Sequence, residues 1–301
     1  MGSHSWRAGL VAGALLIAQG AWQGSAGAAV TVGCTTTALV NAITTANGAG
    51  SPQTLNLAPS CTYNLTAAAA TGTRGADGLP IITGNITLVG NHTTIRRASD
   101  DLFRLLEVAG TLSVRGITLS GGDAGQNTGG AILNARGTVS VISSSVSRNV
   151  ADNGAGISND RGRLTISSSV VRGNSTVTHS GGGGGGIYND GAMTIASSVL
   201  FFNDANTSGG AIYNELTGRL SVTGSQLFSN TAALRGGGLY NGTNGAVTFA
   251  DSAVQYNSAD VTGGGIYNAT CRCAITLRNT RVTVNDPNNC SPSGSVVGCT
   301  G

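Results

Sequence analysis

Asp160, Asp190 and Glu215 each stand directly after an asparagine that closes a glycine-rich phrase, and Tyr188, Tyr213, Tyr240 and Tyr267 stand directly before the asparagines of the same phrase. If the phrases stack on one another, the acids form one column and the tyrosines a second. Carboxylates one strand spacing apart, about 4.8 Å, repel each other, so an acidic column needs a bridge. Arg163 and Arg219, or a bound Ca²⁺, are the candidates. Two carboxylates roughly 5 to 9 Å apart could also act as the acid and the nucleophile or base of a glycosidase; the plainer reading is a solvated turn with arginine partners. The tyrosines fall on the strand face opposite to the Ile and Asn of each phrase and are therefore expected to point outward. A row of phenols there can stack against sugar rings, or simply against one another from turn to turn.

Other chemistry finds little support. Asp100 and Asp101 form the sole adjacent acidic pair and read as a solvated turn, and His92 and His179 stand alone as loop residues. No Gly-x-Ser-x-Gly elbow with an acid and a histidine in workable order is present, and no phosphate-binding Walker sequence. The run 181–186 lacks the Gly-Gly-x-Gly-x-Asp pattern of calcium-binding β-rolls and reads as a loop insertion. All sixteen basic residues are arginine, scattered through a chain of net charge +3, so a nucleic-acid-binding stripe is not expected and lysine is missing as a base. No catalytic residue and no cofactor is assigned, Ca²⁺ at the acidic column being the one ion considered.

These side chains are positioned by a repeat. GGAILN, GAGISN, GGGIYN, GGAIYN, GGGLYN and GGGIYN end at Asn134, Asn159, Asn189, Asn214, Asn241 and Asn268. Between them runs a second phrase, a strand of alternating apolar residues followed by hydrophobic-x-x-Asn, ending at Asn149, Asn174, Asn203, Asn230 and Asn257. Strand-only units recurring about every 25 residues indicate a solenoid. The fold predicted is all-β, a right-handed parallel β-helix of about eight coils with an N-terminal capping helix. Stacking forces like onto like, so Ile or Leu turns inward and the six Asn residues form a ladder whose amides satisfy buried turn groups. A helix over 36–46, with Thr35 or Thr36 as N-cap and Ala38, Leu39, Ala42, Ile43 and Ala46 on one side, suits the open end of the first coil.

The order along the chain follows. Residues 1–28 read as a signal peptide, with Arg7 before an apolar stretch and Ala26-Gly27-Ala28 as a small-x-small cleavage site. Residues 29–80 form the cap and first strands, 81–285 the β-helix repeats, and 286–301 a disulfide-clipped tail. The mature chain is expected to be secreted, extracellular or on the cell surface, monomeric and without a transmembrane segment. Export favours oxidised cysteines over zinc ligands. Cys34 is expected to pair with Cys61, and one or both of Cys271 and Cys273, too far apart on one strand face to bridge each other, with Cys290 and Cys299.

The GGAI phrases at Gly129–Ile132 and Gly209–Ile212, with FxxN-like phrases at Leu200–Asn203, Leu227–Asn230 and Val254–Asn257, resemble the repeats of the polymorphic outer membrane proteins. That resemblance covers roughly 128–285 and implies an adhesin-like surface protein, although the C-terminal barrel of that family is not expected to be carried over. More broadly the architecture is similar to the pectin-lyase-like superfamily, which holds polysaccharide lyases, glycoside hydrolases and non-enzymes. The Gly-His-Gly, Asn-Thr-Asp and Arg-x-Lys patterns of polygalacturonases do not occur here. The expected function is therefore a non-catalytic surface or binding protein contacting a polysaccharide or cell-surface component, with a polysaccharide lyase or glycoside hydrolase as the alternative.

Overall fold

The computed structural model describes residues 29–72, 74–177, 182–215, 217–242, 245–269 and 275–299. The chain is mostly β, a parallel β-solenoid of about nine turns with one helix near the N-terminus. Short rungs extend the stack at both ends. Val30–Val32 stacks on Gln53–Leu57 at the start, and Cys290–Ser291 stacks on Ile266–Tyr267 past the last phrase.

Each turn repeats one path. A strand such as Arg163–Ser167 forms the first face, the chain bends at a serine, and Val170–Arg172 forms the second. It bends again at an asparagine, runs through the short Ser175–Thr176, crosses the glycine phrase and enters the third face at Ile187–Asn189. Among the described residues the first two faces share a 17-stranded sheet, the third is an 8-stranded sheet and the short segments make a 5-stranded one.

Alternation of apolar and polar residues puts every second side chain inside. Register then stacks equivalents: Leu112, Val139, Leu164, Met193, Leu220, Val247 and Ile275 follow one another up the first face, all buried. Ile132, Ile157, Ile187, Ile212, Leu239 and Ile266 do so on the third.

The bends are held by side-chain ladders that take over from the strand hydrogen bonds. The six expected asparagines form one: Asn134 Nδ2 donates to Asn159 Oδ1 at 2.7 Å, and the series continues through Asn189, Asn214, Asn241 and Asn268 at 2.7 to 3.0 Å. The ladder has a polarity. Val108 occupies the asparagine position one turn before Asn134, so Asn134 Oδ1 is left without a donor, while Asn268 Nδ2 is received by the Ser295 carbonyl.

A second ladder links Asn149, Asn174, Asn203, Asn230, Asn257 and Asn285 at 2.8 to 3.0 Å. A third, of serines, joins Ser144, Ser169, Ser198, Ser225 and Ser252, each backbone N–H donating to the next hydroxyl. A buried bend cannot leave its amides unpaired, and these ladders are where they are satisfied.

The helix Thr36–Asn47 closes the first coil with Leu39, Ile43 and Ala46 buried, and its N-cap is Thr35, whose hydroxyl accepts from the Ala38 N–H. Cys34 and Cys61 are joined as expected. At the other end the expectation fails: Cys290 pairs with Cys299, so neither is joined to Cys271 or Cys273, which lie outside the described residues. The tail turns back on itself through Pro292–Ser295 and Val296–Cys299, bringing the two cysteines within a Cα–Cα distance of 6.2 Å. A bridge across nine residues needs no reach to another coil. Disulfides at both ends suggest a location outside the cytoplasm, and among the described residues no helix is long and apolar enough to cross a membrane.

Candidate functional site

The outward side of the third face gathers both predicted columns, because a residue and its second neighbour share a strand face. Tyr188, Tyr213, Tyr240 and Tyr267 are in direct register, half-buried, with ring centroids 5.7, 4.5 and 5.4 Å apart and planes within 18° of parallel. The rings thus spend most of their faces on one another, leaving edges and hydroxyls toward solvent. Arg235 lies over the Tyr267 ring, 5.1 Å from its centroid.

Burial first, and then the negative charge of Glu215, push the Tyr188 and Tyr213 phenols well above their ordinary value of 10.0; burial also raises Tyr240. The neutral phenol is therefore favoured in the fold. The stability this gives is complete below pH 10.0 and is lost as pH climbs above it. Denaturation midpoints are expected to stay level up to about pH 9 and to fall above pH 10, with Tyr213→Phe flattening part of the fall. An equal alkaline fall in the variant would show that the row is not its source.

Asp160, Asp190 and Glu215 stand beside the tyrosines, and the repulsion expected along this column is relieved by arginine. The bridging residues are not the expected ones. Arg161 lies 4.0 Å from Asp160 and 3.5 Å from Asp190, Arg74 pairs with Asp160 at 2.6 Å, and the Thr217 hydroxyl donates to Asp190. Arg163 and Arg219 begin the first-face strands just past the bend and make no ion pair among the described residues. Arg161 reaches both acids because it sits in the turn itself, in a left-handed conformation with φ 56°. Among the described residues no group of three or more His, Cys, Asp or Glu side chains is placed to hold a metal ion.

Asp100 and Asp101 are exposed in a turn and His92 is an exposed residue with φ 52°, while His179 lies outside the described residues. Two groupings escape the sequence reading. Phe201 and Phe228 stack at 5.1 Å on the second face, with Phe202 edge-on to both. Phe202 and Tyr256, 63 % and 61 % exposed, project from the bend before the second ladder with φ 51° and 56°. Bulky side chains are seldom held there. The signal was the residue preceding each ladder asparagine, aromatic in two of the phrases. The other grouping is a buried cluster of Asp77, Arg104 and Glu107.

Neither a family model, nor a curated protein, nor a solved structure matches this chain. The GGAI and FxxN phrases accordingly establish the solenoid and its asparagine ladders, and no family.

Proposed function

We propose that this chain is a secreted, non-catalytic surface-binding solenoid, adhesin-like, whose outward third face lies along an extended polysaccharide or cell-surface polymer. The observation that carries this reading is the tyrosine row: four phenols in register at one-rung spacing, half-buried and flanked by Asp190 and Glu215. Such a row repeats along the axis as a linear polymer does, and it offers ring edges, hydroxyls and carboxylates to sugar hydroxyls. The resemblance to surface-protein repeats points the same way, as do the export signal read at 1–28 and the disulfides at both ends of the solenoid. The enzyme alternative finds less to work with. Asp160 and Asp190 of the outward column are engaged by arginine and threonine, and a second close pair of carboxylates, Asp77 and Glu107, is buried away from any polymer.

The test is retention of the mature chain on a panel of insoluble polysaccharides and cell walls, run beside an assay for new sugar ends. Retention is expected, with Tyr213→Ala/Tyr240→Ala weakening it by about tenfold or more, the loss of two aromatic contacts. Retention that survives this pair but is lost in Phe202→Ala/Tyr256→Ala would move the contact to the second-face bend. Release of reducing or unsaturated ends, abolished by Asp190→Asn or Glu215→Gln, would replace the reading with the enzyme.

A further inference from the structure

Glu107 holds the position that the tyrosines fill further along the solenoid: it is in register with Leu133, Leu133 with Ser158, and Ser158 with Tyr188. These first three members of the outward column are nevertheless buried, Ser158 to 1 % exposure. The hairpin of Ala70–Gly72 and Gly75–Asp77 lies against Glu107, the first member, and reaches by Arg74 to Asp160 beside the third. Gly72 sits so close to the Glu107 carboxylate that a Cβ there would collide with it, Gly75 stands against the Asn127 side chain, and Arg74 extends past them to Asp160. The hairpin is thus a cover on the same face that further on carries the tyrosine row.

Its anchor is a charge cluster with an imbalance. Arg104, wholly buried, uses one nitrogen, Nη1, for both Asp77 Oδ1 at 2.9 Å and Glu107 Oε2 at 3.2 Å. Its Nε donates to the Thr128 carbonyl at 3.1 Å and its Nη2 to the Arg74 carbonyl. Two carboxylates against one guanidinium leave one net negative charge out of reach of water, a costly arrangement. Asp77 Oδ2 is buried with no well-formed hydrogen-bond partner, the nearby Gly72 amide being only a minor influence. A proton on that oxygen would neutralise the cluster. The other charged groups along the hairpin, Arg74, Asp160, Arg161 and Asp190, pair among themselves at its outer end.

We propose that the 70–77 hairpin is a proton-controlled cover over the first positions of the outward third-face column, clamped while the Asp77, Arg104 and Glu107 cluster is neutral and loosened as it gains net negative charge. With the hairpin lifted, both carboxylates meet water and Asp77 has no reason to hold a proton at mild acidity. Closing therefore takes up a proton and is favoured by acid.

Burial raises the Asp77 carboxyl from 3.8 to about 6, with Arg104 pulling the other way. A group raised in the closed state stabilises that state fully below its open-state value of 3.8; the stabilisation is lost as pH rises through about 6 and changes no further beyond it. Opening is expected to become on the order of 50-fold more frequent between pH 4 and pH 7.5.

Amide hydrogen exchange on the intact protein tests this, each rate corrected for the intrinsic pH dependence of exchange and referred to ladder amides in the same sample. The Ala69 and Gly78 amides, which bond to the Asp77 and Arg104 carbonyls, and those of 70–72 and 74–77 are expected to lose that protection selectively as pH rises. Asp77→Asn, uncharged at every pH, is expected to keep the acid-side protection throughout, and Glu107→Gln, which removes the net charge through the other carboxylate, to flatten the dependence as well. Constant protection from pH 4 to 7.5, or an unchanged pH dependence in both variants, would overturn the proposal. Hairpin amides unprotected at all pH values in both variants would overturn it too, since ion pairing and not neutrality would then hold the cover.

Discussion

Replacing Asn214 by alanine is expected to destabilise the protein by about 4 kcal/mol, several times the effect of a typical surface change. Asn214 Nδ2 donates to the Gly218 carbonyl at 2.9 Å and to Asn241 Oδ1 at 2.8 Å, and its Oδ1 accepts from Asn189 at 2.7 Å. The side chain is fully buried, so no water replaces these partners, and each orphaned buried polar group costs roughly 1–3 kcal/mol. Position along the ladder supplies the control. Asn134 begins the series with its Oδ1 already undonated, so Asn134→Ala orphans fewer groups and is expected to cost about half as much. Denaturant unfolding of both variants decides it, with the shift in midpoint preferred to an extrapolated free energy because stacked repeats need not unfold in two states. Equal losses, or losses under about 1 kcal/mol, would mean that the ladder does not bind the coils together.

Gly210→Ala is expected to be more damaging still, by about 5 kcal/mol or more, to the point of losing soluble protein. A Cβ at Gly210 would stand 2.3 Å from the Thr231 carbonyl oxygen and 2.4 Å from that of Gly237. Both are backbone atoms of the next turn, so relief requires moving a whole rung against its ladders. Gly224 is the comparison. Its φ is 56° but an added Cβ meets only the Ser197 hydroxyl, at 3.9 Å, so Gly224→Ala is expected to cost just the left-handed strain of about 1–2 kcal/mol. Thermal midpoints of the two variants, with soluble yield, separate steric exclusion from conformational preference; a Gly210→Ala protein that melts with the parent would refute so close a stacking of turns.

Position along the chain explains which features of the site could be read without coordinates. The tyrosine row was legible because it recurs within the phrase, and the phrase fixes its own register. The bridge between Asp160 and Asp190 was not, since choosing Arg161 over Arg163 depends on a turn residue adopting a positive φ. The buried cluster was harder again. Asp77 belongs to a hairpin outside the repeats, and only the stacking of Leu106–Val108 on Ile132–Ala135 reveals that Glu107 stands where a tyrosine stands later. A carboxylate in that column was the available clue.

The cysteines divide in the same way. Cys34 and Cys61 bracket the cap, and the cap's helix and first strands each announce themselves by periodicity, so the pair could be assigned. Cys290 and Cys299 follow the last repeat, where no period fixes the path, and their union depended on how the proline-containing tail folds back.

The sequence by itself determined the solenoid, the inward columns and the first asparagine ladder of this protein, because a repeat stacked at one strand spacing must set each residue beside its own equivalents. Only the tertiary structure decided which turn residues reach across to the acids, where the hairpin lies and which faces of the tyrosine rings remain free. Those outcomes depend on turn conformations and on contacts between the repeats and non-repeating segments, and neither is constrained by periodicity.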